Sequence, residues 1–129
     1  MNKTKILNLC IAGLGTVGSN VIYSLIKKHQ LFVKKINTDF KILAISAKNK
    51  SKKRIFNINE YQWYDDPFEL VNNNNCDIFI ELIGNEKGLS FDLVKKALEN
   101  KIHVITANKA MLSKYGSELF KIAEINNVL

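Results

Sequence analysis

A chain of 129 residues is the length of one compact domain, enough for a sizeable core and too short for two. Its 47% hydrophobic and 24% charged residues are the proportions of a soluble globular protein, and no apolar run approaches the roughly 20 residues of a membrane helix. The formal charge of +7 is almost all lysine scattered along the chain, with Arg54 as the only arginine, which argues against a nucleic-acid or acidic-membrane partner.

Lys3 and Lys5 before ILNLCIAGLG imitate a signal peptide. Asn8 interrupts the apolar run, and a glycine turn replaces the small-residue cleavage site, so the expected location is cytoplasmic. Leu7, Leu9 and Ile11, with Cys10 and Ala12, read as a buried strand. It ends in GLGTVG, Gly13 to Gly18, whose glycines have GxGxxG spacing. Gly13 allows the tight turn, Gly15 keeps side-chain atoms away from an approaching pyrophosphate, and Gly18 lets the next helix pack close to the strand. Val17, Val21, Ile22, Leu25 and Ile26 mark the apolar face of that helix, whose first-turn N–H groups and dipole favour an anion. A strand, this turn and a helix in direct succession point to a dinucleotide more strongly than a bare glycine pattern, which an ordinary strand-turn-helix also produces.

His29 to Asp39 reads as the helix end plus a connection. Phe40 to Ala47, FKILAISA, is a second strand beside the first, completing a βαβ unit with a right-handed crossover. A carboxylate at the end of this strand would bond the ribose 2′-OH and select NAD, whereas a cation accommodates a 2′-phosphate and selects NADP. The residues there are Ser46, Ala47, Lys48 and Asn49, with no acid, and a basic loop of Lys50, Lys52, Lys53 and Arg54 follows. Ser46 can donate to a phosphate oxygen, Lys48 can supply charge, and Lys52, Lys53 or Arg54 can reach in. The expected cofactor is NADP, with NAD as the other candidate; the plain alternative is a solvated loop.

Ile55 to Ile58 is a short strand or none, and Tyr61, Trp63 and Tyr64 read as plugs at the edge of the core, with stacking on a base as the alternative. Asp66 caps a helix that has Pro67 at its first position and Glu69 three residues on, with Phe68 and Val71 facing inward. Asn72 to Asn75 end it. Asp77 to Gly84, DIFIELIG, reads as a central parallel strand, apolar on both faces except at Glu81. That carboxylate is either paired inside the core or set at the open, ligand-binding end of the sheet. Gly84 ends the strand, Asn85 to Leu89 form a polar loop, and Ser90 opens a helix with Phe91, Val94, Ala97 and Leu98 on one face. His103 to Thr106 is a short strand. Ala107, Asn108 and Lys109 begin a helical segment carrying Met111, Leu112, Leu119, Phe120 and Ile122 around a break at Gly116, and Val128 with Leu129 starts one more strand. Lys109 opposes the dipole in the first turn of its helix; it either bends into water or faces the ligand edge. Cys10 and Cys76 lack CxxC spacing and read as reduced core residues, and with only His29 and His103 no metal site is expected. The fold class is therefore α/β, Rossmann-like and doubly wound, with a mainly parallel sheet and helices on both faces over residues 1–129.

GLGTVG at Gly13 to Gly18, ELIG at Glu81 to Gly84 and HVITANKAML at His103 to Leu112 resemble, in order and spacing, the cofactor domain of homoserine dehydrogenase. The likeness continues through Gly116, Glu118, Leu119 and Ala123 and covers nearly the whole chain. It implies NAD(P)H-dependent interconversion of L-aspartate 4-semialdehyde and L-homoserine, on the route from aspartate to threonine, methionine and isoleucine. It also implies that Leu14, Thr16 and Val17 line the pyrophosphate turn, Ala47 and Lys48 the adenosine end, and Gly84, Thr106 and Ala107 the path to the nicotinamide. Lys109 matches the family's lysine beside nicotinamide and substrate, which assists proton transfer and whose ammonium would stabilise a developing alkoxide. Asn85 stands where the family has a second glycine.

Enzymes of that family continue beyond the matching region into one that binds substrate, builds the homo-oligomer and supplies a second lysine, acidic substrate ligands and a monovalent-cation site. The resemblance thus implies a fragment that does not turn over alone. Two other readings stand beside it: another amino-acid-pathway dehydrogenase, against which ITANK argues, and a free-standing NAD(P)-binding regulatory module without catalysis.

Overall fold

A computed structural model describes residues 6–73, 75–84 and 88–129 of the chain. Lys3, Lys5, Asn74 and Asn85, which entered the sequence reading, lie outside the described residues. Five strands are formed, β1 (Ile6–Ala12), β2 (Asp39–Ser46), β3 (Gln62–Trp63), β4 (Ile78–Glu81) and β5 (His103–Thr106). All neighbours pair in parallel, in the order β3-β2-β1-β4-β5.

Successive side chains of a strand point to opposite faces, and here both faces are buried. Cys10 and Ala12 of β1, Ala44 of β2 and Phe79 of β4 enter one apolar cluster, whereas Leu9, Ile11, Ile45 and Ile80 enter the other. The first cluster is closed by α3 (Phe68–Val71), α4 (Leu89–Glu99) and α5 (Lys109–Ile125) through Leu70, Leu93, Ala97 and Leu119. The second is closed by α1 (Thr16–Lys27) and α2 (His29–Ile36) through Ile22, Leu25 and Phe32. With α1 and α4 on opposite faces, the loops leaving the adjacent strands β1 and β4 diverge. A crevice therefore opens at the carboxyl ends of these two strands, where the strand order reverses.

Several elements differ from their sequence expectation. His29 to Ile36 is a helix of its own rather than a connection, and Asn37 stops it in the left-handed region at φ 53°. Its start is fixed by tertiary contact: His29 Nε2 lies 2.9 Å from both Asp39 Oδ1 and the Phe40 carbonyl oxygen, and the His29 ring meets Phe40 edge-on. Of the two readings of Ile55 to Ile58, a short strand or none, the second holds: a single 3-10 turn over Ile58–Glu60 leads into the two residues of β3, which was not expected. Ser90 does not open its helix, because Gly88 at φ 72° starts it one residue earlier and Ser90 is buried in the first turn. No break occurs at Gly116: α5 runs through it, held on the core by Met111, Leu119 and Ala123. Val17 and Ile26, placed on the apolar face of α1, are exposed, and Ile22 carries most of its burial.

Other expectations hold. Asp66 Oδ1 accepts from the Phe68 N–H at 2.9 Å at the start of α3. Trp63 and Tyr61 pack against one cluster at the sheet edge and Tyr64 against the other. Against expectation, Val128 and Leu129 form no strand, but they lie along β5: the Val104 N–H donates to the Leu129 carbonyl at 2.9 Å and the Leu129 N–H to His103 Nδ1 at 3.0 Å. Among the described residues, no helix is long and apolar enough to cross a membrane.

Candidate functional site

The register of the sheet aligns the ends of four strands. Ala12 of β1 is paired with Ser46 of β2 on one side and with Glu81 of β4 on the other, and Glu81 is paired with Thr106 of β5. Ala47, Gly13, Leu82 and Ala107 therefore leave the sheet from one row. A cleft of about 390 Å³ lies over part of this row, bounded by the glycine turn, Ala47 and Lys48, the Leu82–Ile83 segment, and Lys52 and Arg54 of the basic loop.

The three glycines have different surroundings. Gly13 has φ 98°, and a Cβ built there would stand 2.5 Å from the Leu82 carbonyl atoms, so only glycine fits between β1 and the chain leaving β4. Its N–H donates to the Ser46 carbonyl at 2.9 Å, extending the β1–β2 ladder by one bond. A Cβ on Gly18 would run into the Gly13 carbonyl oxygen, which is the close helix-to-turn packing read from the sequence. A Cβ on Gly15 would meet nothing within 4 Å, and Gly15 lines the cleft. This open side, next to the first turn of α1, fits a pyrophosphate: the first N–H groups of a helix have no intrahelical acceptor, and the α1 first turn holds no acidic side chain. Leu14 has its side chain in the core, while Ser19 Oγ donates to the Leu14 carbonyl at 2.9 Å. Thr16 and Val17 are exposed in that first turn.

At the end of β2, Ser46 is buried, Ala47 half-buried and Lys48 exposed. Lys52 reaches the cleft with Lys48; Lys53 does not line it. Arg54 also borders the cleft, but its guanidinium is turned onto the loop itself, Nη1 donating to the Lys50 and Lys52 carbonyls and Nη2 to those of Lys48 and Asn49. Asp65 was missed by sequence reasoning; it borders the cleft and accepts from Trp63 Nε1 at 2.9 Å. Pro67, Leu82, Ile83 and Leu89 complete the wall and carried no signal beyond their apolar character.

Gly84, Thr106, Ala107 and Lys109 form a second group outside that cleft, where β4 and β5 end. Glu81 is fully buried, and its Oε2 accepts from Thr106 Oγ1 at 2.8 Å. Of the two alternatives for this carboxylate, the structure realises pairing inside the core, at the last residue of β4. Glu81 Oε1 has no hydrogen-bond partner among the described residues. Thr106 Oγ1 in turn accepts from the Asn108 N–H at 3.0 Å, and Asn108 Oδ1 caps α5 by accepting from the Met111 N–H at 3.0 Å. Asn108 Nδ2 donates to the Gly84 carbonyl at 3.1 Å, tying the two strand ends together. Lys109 is the exposed first residue of the helix so anchored.

A glycine turn feeding a helix N-terminus at the switch point of a parallel 3-2-1-4-5 sheet defines a dinucleotide-binding protein of the Rossmann class. The family model described as the homoserine dehydrogenase NAD binding domain matches residues 13–129. The chain belongs to that family. It is 34% identical over 125 residues to homoserine dehydrogenase of Neisseria gonorrhoeae, covering 97% of this chain and 28% of that protein. Homoserine dehydrogenase of Bacillus subtilis is 32% identical over 123 residues, with 95% and 28% covered. The crystal structure of Staphylococcus aureus homoserine dehydrogenase at pH 8.5 superposes with a TM-score of 0.87 at 39% identity, over 98% of this chain and 31% of that one. The chain thus spans under a third of the length of these relatives.

Proposed function

We propose that this chain is the cofactor-binding part of an NADP-preferring homoserine dehydrogenase, which interconverts L-aspartate 4-semialdehyde and L-homoserine. The observation that carries the reading is the row of strand ends, with an open glycine turn at its centre and a lysine-bearing, acid-free loop on one flank. Gly13, Gly15 and Gly18 with the backbone of Leu14, Thr16 and Val17 would hold the pyrophosphate, and Ala47 and Lys48 the adenosine ribose. Gly84, Thr106 and Ala107 would border the nicotinamide, which when bound supplies or accepts the hydride exchanged with the substrate carbon. Lys109 Nζ would hold the proton passed to or from the carbonyl oxygen, and its charge would stabilise the alkoxide as it forms. Substrate binding and assembly of a homo-oligomer belong to the remainder of such an enzyme, so this chain binds cofactor but does not turn over by itself.

The test is a fluorescence titration of the folded chain with NADPH and with NADH, in wild type and Lys48→Glu. Wild type binds NADPH more tightly. Because a charge-assisted contact to phosphate is worth about 1.5–3 kcal/mol, the variant loses NADPH affinity by about tenfold or more while NADH affinity changes little. Equal losses for both cofactors would remove the phosphate assignment.

A further inference from the structure

Five cations stand within the seven residues Lys48 to Arg54, and a segment so charged spreads apart unless something gathers it. Lys48, Lys50, Lys52 and Lys53 are exposed, whereas Arg54 is half-buried. All four terminal N–H donors of its guanidinium are directed at loop carbonyls, those of Lys48 and Asn49 at 3.0 Å, Lys52 at 3.1 Å and Lys50 at 3.2 Å. A fifth bond, from the Lys52 N–H to the Asn49 carbonyl at 3.1 Å, closes the turn around it. Beneath the loop, the guanidinium carbon stands 5.4 Å from the centre of the Trp63 ring, and Trp63 is fixed in turn through Asp65.

Two consequences follow from this arrangement. The carbonyl oxygens, which would repel an anion, converge on one cation. The planar fork that holds them is a geometry that lysine lacks, whatever its charge.

We infer that Arg54 is a positioning residue, a clasp that gathers the basic loop and thereby sets the preference for a ribose carrying a 2′-phosphomonoester, without being the phosphate ligand itself. The inference rests on reading the loop as the 2′-phosphate site. It assigns the charge contact to Lys48 and Lys52 at the cleft and the shape of the loop to Arg54.

Arg54→Lys and Arg54→Gln, titrated with NADPH and NADH, test it. Trp63 is the single tryptophan of the chain, and its emission reports the loop before any cofactor is added. Both variants are expected to lose NADPH affinity by about tenfold, equivalent to about 1.4 kcal/mol, to hold NADH within about twofold, and to shift Trp63 emission. Retained NADPH affinity in Arg54→Lys would overturn the inference, since charge alone would then suffice. Parallel loss of both cofactors in both variants would overturn it as well, showing support of the fold rather than of selectivity. If the wild type itself binds the two cofactors equally, the reading of the loop fails and the clasp has no selectivity to set. That outcome is distinct from a selective wild type whose variants stay selective.

Discussion

Gly13 and Gly15 stand two residues apart in one turn and meet opposite surroundings. A methyl group at Gly13 would collide with the backbone leaving β4 and would impose φ 98° on an L residue. Gly13→Ala is therefore expected to destabilise the chain by about 1–3 kcal/mol or more, read from chemical denaturation. At Gly15 the methyl meets open space with φ at −71°, so Gly15→Ala should leave stability within about 0.5 kcal/mol of wild type. It should nonetheless weaken binding of NADPH and NADH alike in the same titration, because the methyl fills the side from which a pyrophosphate approaches. Unchanged affinity for both would take Gly15 out of the site. The GxGxxG spacing made all three glycines and their duties legible, but not that Leu82, far along the chain, is what crowds Gly13.

At the scale of elements, the end of β5 is joined to the start of α5 by side chains rather than by the ladder. The Thr106 hydroxyl donates to Glu81 and accepts from the Asn108 N–H, so a single oxygen links a buried carboxylate to the cap of the helix that carries Lys109. Thr106→Val preserves the outline but leaves the Glu81 carboxylate and the Asn108 N–H each without that partner. The expected cost is about 1–3 kcal/mol in a urea or guanidinium titration. A change under about 0.5 kcal/mol would show that the hydroxyl links nothing of consequence. This pairing was only half legible in the sequence: a carboxylate in the run DIFIELIG called for a partner or a place at the open end of the sheet, and periodicity could neither choose between them nor name a threonine on the next strand. α2 and the unbroken α5 escaped for the same reason, since their stability comes from Phe40 and from the core beneath Gly116 rather than from local propensity.

For the whole molecule, the core carries a pH dependence of its own. Contact with Cys10 and then burial push the Cys76 thiol well above its ordinary value. An unfolded thiol titrates near about 8.5. Above that pH the unfolded chain gives up a proton that the folded chain keeps, so stability falls as pH rises, whereas below it the contribution is complete. Denaturation midpoints measured from about pH 7 to about pH 10 should decline more steeply in wild type than in Cys76→Ala. Equal slopes would clear the thiol. Tyr61, raised by burial and then by the Glu60 charge, acts in the same direction at the upper end of that range.

What the sequence by itself determined is whatever short-range chemistry dictates. Strand and helix types, α2 and β3 excepted, followed from side-chain period, the phosphate turn from three glycines at fixed spacing, and the absence of an acid after β2 from a reading of four residues. The pairing of the second strand with the first, the doubly wound class and the family resemblance were within reach of the same patterns, whereas the full strand order was not. Only the tertiary structure decided how partners distant in sequence meet: the row Ser46, Ala12, Glu81 and Thr106, the role of Asn108 between two strand ends, and the turning of Arg54 onto its own loop. A guanidinium has five donors and many acceptors within reach, so its position in the chain says that it will bond but not to what. That choice is made by the closed turn and by Trp63 packed at the sheet edge.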